Sequence, residues 1–87
     1  MRPTVGRVVL YHLQGGEDRP AIITRVWNDH PGQECVQLQV FTDGSNDSDA
    51  LRVMSRVSQS EEAPNVLWAT SVVLGTGVGE WSWPAIQ

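Results

Sequence analysis

A chain of 87 residues makes one small domain, 1–87, which buries only a modest share of its surface, so large side chains or self-association must hold it together. Its net charge of -4, with six arginines and no lysine, removes the long-range attraction on which general nucleic-acid binding rests. The apolar runs are far too short to span a membrane. The single cysteine, Cys35, excludes an internal disulfide, and a start without a cleavable leader pattern gives the expectation of a cytoplasmic protein.

In chain order, Gly6 leads into a first strand over 7–13, dense in β-branched and aromatic residues. Two glycines, adjacent acids and a proline make 14–20 a surface turn. A second strand follows over 21–27. Its two-residue period places Ile22, Thr24 and Val26 on one face and Ile23, Arg25 and Trp27 on the other. Residues 28–32 carry a turn signal in Asn28, Asp29, Pro31 and Gly32. The cleanest alternation lies over 35–41, where Val36, Leu38 and Val40 point inward and Gln37 and Gln39 outward.

Residues 42–49 form a polar, acidic loop whose Asp43-Gly44 pair signals a reversal. Over 51–57, Leu51, Val53, Ser55 and Val57 fit a strand, whereas Arg52 and Arg56 would share one helical face; the strand is preferred. A polar connection over 58–65 leads to a strand over 66–74, a hinge of alternating glycines over 75–79, and a short last strand around 80–83. No helical period is sustained. The expected fold is therefore all-β: a small barrel or curled antiparallel sheet of the SH3-like or OB-like kind, with five to six strands and at most one short helical turn.

The phrases Pro3-Thr4-Val5-Gly6-Arg7, Pro20-Ala21-Ile22-Ile23-Thr24-Arg25-Val26, Val36-Gln37-Leu38-Gln39-Val40-Phe41 and Gly79-Glu80-Trp81-Ser82-Trp83-Pro84 resemble those of a family of small phage and prophage proteins. The likeness covers most of the chain. Its relatives close on Gly-Thr-Trp-His-Trp-Pro, and Ser82 stands here in place of the His. The resemblance implies a viral origin and the cytoplasm of an infected bacterial host; it implies no activity.

Several residues invite a chemical reading. Gly75, Gly77 and Gly79 would let backbone N–H groups approach an anion, but no Lys-Ser/Thr follows, as a phosphate loop requires, so a strand-to-strand turn is the stronger reading. Trp81 and Trp83 project to the same side and offer a paired aromatic wall, for the core or a subunit contact before a ligand. Arg7, Arg25, Arg52 and Arg56 are candidate anion grips, and Arg25 shares a strand face with Trp27. Residues 43–49 have the oxygen density of a calcium loop but Ser48 where an EF-hand needs Gly. His12, His30 and Cys35 lack the close paired spacing of a zinc site. No metal or cofactor is expected. Serine, histidine and acid all occur, yet no nucleophile elbow is present, and the chain reads as a non-enzyme.

The expected role is a non-enzymatic phage binding protein, in the sharpest form a sponge that sequesters a nucleotide-derived host immune signal. In that reading Trp81, Trp83, Trp27 and Tyr11 supply stacking surfaces, Arg25 and Arg7 hold phosphate, and Gly77 and Gly79 donate backbone hydrogen bonds to a small anionic ligand. A homo-oligomer with Trp81 and Trp83 at its boundary is expected. The alternative is a structural or adaptor protein, a virion component or an inhibitor of a host defence protein, recognisable by a flat apolar patch in place of a pocket.

Overall fold

The alternation of apolar and polar residues builds a single five-stranded antiparallel sheet in the computed structural model, which describes residues 2–27, 34–56 and 63–84. The strands are β1 (Val8–His12), β2 (Asp18–Trp27), β3 (Cys35–Phe41), β4 (Val66–Val72) and β5 (Trp81–Ser82), in the order β4-β3-β2-β1-β5. The expectation of a curled all-β sheet is met. Beyond β4, Val73 O accepts from Trp81 N–H at 3.1 Å and Gly75 N–H donates to Trp81 O at 2.9 Å. The two sheet edges thus approach one another through residues 73–75 without closing into a barrel.

The strand β3 has the expected bounds and faces: Val36, Leu38 and Val40 are buried between half-buried Gln37 and Gln39. By contrast β2 begins at Asp18, inside the expected turn. Asp18, Arg19 and Pro20 lie opposite His12, Tyr11 and Leu10, and pairing with β3 starts only at Ala21. The N–H that Pro20 lacks is therefore not missed by the ladder. The true turn is short, with Gly15 at φ 94° and Gly16 at φ 88°, conformations that favour glycine.

A register shift between Ile23 and Arg25 makes Thr24 the extra residue of a β-bulge. The bulge corrects the expected faces of β2. Ile23 points into the core with Val26, while Arg25 and Trp27 point out together.

The strand expected over 51–57 is a helix in its described part. A 3-10 turn (Gly44–Asp47) runs into α1 (Ser48–Val53). Leu51 is fully buried while Val53 is 68% exposed, the reverse of a strand that turns both residues inward. Asp49 and Arg52 pair one helical turn apart, at 2.9 Å. The helix ends where Ser55 takes φ 60°, with Ser55 N–H donating to Arg52 O and Arg56 N–H to Leu51 O, the closing bonds of a Schellman motif. Val57 and the connection over 57–62 lie outside the described residues, as do Asn28, His30 and the turn around them.

The core lies inside the curl. Val9, Tyr11 and Leu13 of the first hairpin meet Ile23, Leu38, Val40, Leu67, Val72 and Trp81, and Leu51 caps them from α1.

Candidate functional site

The largest core side chain is Trp81. It is fully buried, and its indole Nε1 donates to Glu34 O at 2.8 Å, fastening β5 to the start of β3. A ring so placed has no face left for a ligand. Tyr11 is likewise fully buried, and its hydroxyl has no hydrogen-bond partner among the described residues. Trp81 thus takes the core place preferred for it over ligand stacking, and the burial of Tyr11 corrects its expected role as a stacking platform.

The remaining aromatic and arginine members of the expected site form two separate stacks, with Trp83 half-buried against the core. Trp83 meets Trp81 edge-on, with ring centroids 5.1 Å apart and planes at 83°, and the Arg7 guanidinium lies 5.3 Å from the Trp83 ring centroid. On β2 the Arg25 guanidinium sits 4.1 Å from the Trp27 ring centroid. In both pairs the cation already covers an indole face.

The glycine hinge already holds an anion of its own. Gly77 N–H donates to Glu80 Oε1 at 2.8 Å, and a Cβ at Gly75 would fall inside the Glu80 carboxylate. Gly79, at φ 79°, donates its N–H to His12 O at 2.8 Å. A phosphate entering the hinge would have to expel Glu80 and then face its charge, so Gly77 and Gly79 are occupied donors.

Two arrangements escaped sequence reasoning. The first is the outer face of the sheet. Register places Trp68 opposite Gln39, Gln39 opposite Ile22, and Ile22 opposite Val8, a row across four strands. Beside it Phe41 lies opposite Val66, and Leu10 lies opposite both Pro20 and Ser82. Trp68, at 55%, is the most exposed aromatic among the described residues, and Val8, Phe41 and Val66 are also exposed. The signal was present in the apolar residues at alternate positions of β1, β2 and β4, but a core assignment for one face absorbed them.

The second is a hydrogen-bonded chain across β2, β1 and β5. Asp18 Oδ1 lies 2.6 Å from His12 Nδ1, and His12 Nε2 lies 2.9 Å from Ser82 Oγ. The β1–β2 hairpin sets Asp18 against His12, six residues away, and the return of β5 to β1 brings Ser82 from 70 residues away.

Elsewhere, Thr42, Asp43, Gly44, Pro64 and Asn65 line an open, polar hollow of about 540 Å³. None of the eight expected site residues borders it. Among the described residues no helix is long and apolar enough to cross a membrane, and no cluster of three or more His, Cys, Asp or Glu is placed to hold a metal. No protein family, no curated protein and no solved structure matches the chain.

Proposed function

We propose that the chain is a binding protein that acts through contact with another protein, the adaptor or inhibitor reading of its sequence. The observation that carries this is the apolar outer face made by Val8, Leu10, Ile22, Phe41, Val66 and Trp68, which lies on the side of the sheet away from the core. Exposed patches of this kind on small proteins serve contacts, and aromatic residues at their centre dominate the energy. Taken with the resemblance to small phage proteins, the partner is a virion component or a host defence protein. A photo-crosslinking residue at position 68 should capture one defined partner in cells that carry the phage, while the same residue at Asp49 on α1 should capture none. Equal capture from both positions, or none from 68, overturns the reading.

A second reading is supported by the Arg7–Trp83 and Arg25–Trp27 stacks, which combine charge with a flat ring as a sponge for a nucleotide-like anion requires. Titration with cyclic dinucleotides and ADP-ribose derivatives tests it. A thermal shift that Trp83→Ala abolishes in folded protein supports the sponge, and silence across the panel removes it.

A further inference from the structure

We propose that Ser82 is an activated nucleophile, with His12 as its general base and Asp18 as the positioning residue, and that the site takes neutral esters with apolar acyl groups. The proposal goes beyond the binding role above and shares with it the Val8 and Leu10 edge of the outer face.

The geometry begins with the strand register. Asp18 lies directly opposite His12 on the neighbouring strand, and Ser82 lies opposite Leu10, which shares the outer face with His12. Three adjacent strands therefore present Asp18, His12 and Ser82 in line on one face, at 2.6 Å and 2.9 Å. The backbone of His12 is pinned on the β5 side, its N–H donating to Glu80 O at 3.0 Å and its carbonyl accepting from Gly79 N–H at 2.8 Å. Groups held on strands keep their relative positions better than groups on loops.

The direction of the hydrogen bonds follows from the chemistry of the three groups. The carboxylate of Asp18 only accepts, so His12 Nδ1 carries the proton of the neutral imidazole. His12 Nε2 then has a lone pair and no hydrogen, and Ser82 must donate its O–H to it. That is the arrangement of a hydroxyl poised to lose its proton to a base whose tautomer is fixed by an acid. In the protonated ring Nε2 carries a hydrogen and Ser82 accepts it, so the neutral ring is the form that can act as base.

The surroundings select the substrate. The Asp18 carboxylate repels an anion, whereas Leu10, Pro20 and Val8 continue the outer face as an apolar floor. A neutral ester would lay its acyl chain on that floor. The Ser82 Oγ attacks the carbonyl carbon while its proton passes to His12 Nε2. The tetrahedral intermediate breaks its bond to the alkoxide, which takes that proton and departs as the alcohol, leaving Ser82 acylated. Water repeats the sequence with Nε2 as base, which releases the carboxylic acid and restores the serine. No oxidant, reductant or cofactor enters the balance.

The test uses the full chain with p-nitrophenyl butyrate and, separately, an alkyl fluorophosphonate, read by nitrophenolate release, intact mass and peptide mapping. One adduct on Ser82 is expected, absent in Ser82→Ala. The His12→Ala variant should slow labelling by about 100-fold or more, the usual contribution of a general base. The Asp18→Asn variant should slow it as well, and Asp18→Glu should restore part of the rate, which a purely structural role would not produce. Melting curves establish that each variant is folded, with His12→Gln replacing His12→Ala if the latter does not fold. An unlabelled Ser82 in folded protein, or equal labelling with and without His12, overturns the proposal and leaves the chain as a cross-strand tie.

Discussion

Arg19 and Asp47 form a two-pronged ion pair that docks the 3-10 turn and α1 against β2: Nε to Oδ2 and Nη2 to Oδ1 are both 2.7 Å. Asp47 is 3% exposed and takes a further bond from Asp43 N–H. The Arg19 hydrogen bonds hold the Asp47 carboxyl below its ordinary range, burial opposes them, and the Asp43 N–H adds to the lowering. The same bonds to Asp47 hold the Arg19 guanidinium above its ordinary value, again against burial. Removing one partner strands the other in a partly desolvated site, which costs about 3 kcal/mol. Asp47→Asn should therefore lower the urea midpoint substantially.

The same pair has an acid signature. A carboxyl whose value in the folded state is depressed contributes stability that is fully present above its unfolded value, ~3.9, and is lost as pH falls through the folded value. Wild-type stability should fall steeply below about pH 4, and Asp47→Asn should lack the part of that slope that Asp47 supplies. Urea melts between pH 2 and pH 6 measure the difference, and parallel slopes in the two proteins would remove Asp47 from the account.

Trp81 closes the core and also donates to Glu34 O. Truncation to Ala combines a cavity with an unsatisfied carbonyl, and large-to-small changes of this type cost about 3–5 kcal/mol. In a domain this small, that approaches the whole stability. Trp81→Ala should be largely unfolded by circular dichroism at room temperature, and Trp81→Phe should be folded but weakened. A folded, fully stable Trp81→Ala would show that β5 is not held in place by its indole.

Gly75 and Glu80 should be coupled. A Cβ on residue 75 would occupy the space of the Glu80 carboxylate, which is the end of a flexible side chain and can swing away, giving up its bond to Gly77 N–H. Gly75→Ala is expected to cost about 1 kcal/mol, the worth of an exposed hydrogen bond to a charge. In the Glu80→Ala background the same change should cost nearly nothing. A double-mutant cycle in urea reports this directly, and additive costs would mean that the carboxylate does not sit in the glycine hinge.

What could be read in the sequence depended on how far each signal had to reach. Val36, Leu38 and Val40 gave β3 its bounds because alternation is local and unbroken there. The faces of β2 could not be read past Thr24, since a bulge is decided by the partner strand and leaves no mark in composition. Leu51 and Val53 fitted a strand as well as a helix because the seven residues 51–57 are too few to separate the two periods; the Arg19–Asp47 pair, distant in sequence, favours the helix. Trp81 was recognised as an anchor, but its burial behind Trp83 comes from β5 returning to β1, a long-range pairing. The His12–Ser82 link was invisible for the same reason, and the His12–Asp18 link because β2 begins inside the stretch that reads as a turn.

The outer face makes a prediction that separates binding from stability. Trp68 is 55% exposed, so Trp68→Ala gives up far less buried area than a core truncation and should cost only about 1 kcal/mol. At the centre of a protein contact the same ring would be an anchor worth about 2 kcal/mol or more, a loss of roughly 30-fold in affinity. The variant should melt only slightly below the wild type and yet bind the partner identified by crosslinking about 30-fold more weakly. Placing a charge on the patch sharpens the contrast, because Trp68→Glu sets a carboxylate opposite Gln39 on the apolar outer face without touching the core beneath. If both variants retain the partner at wild-type affinity, the contact lies elsewhere on the molecule, and the Arg7–Trp83 end of the sheet becomes the next surface to change.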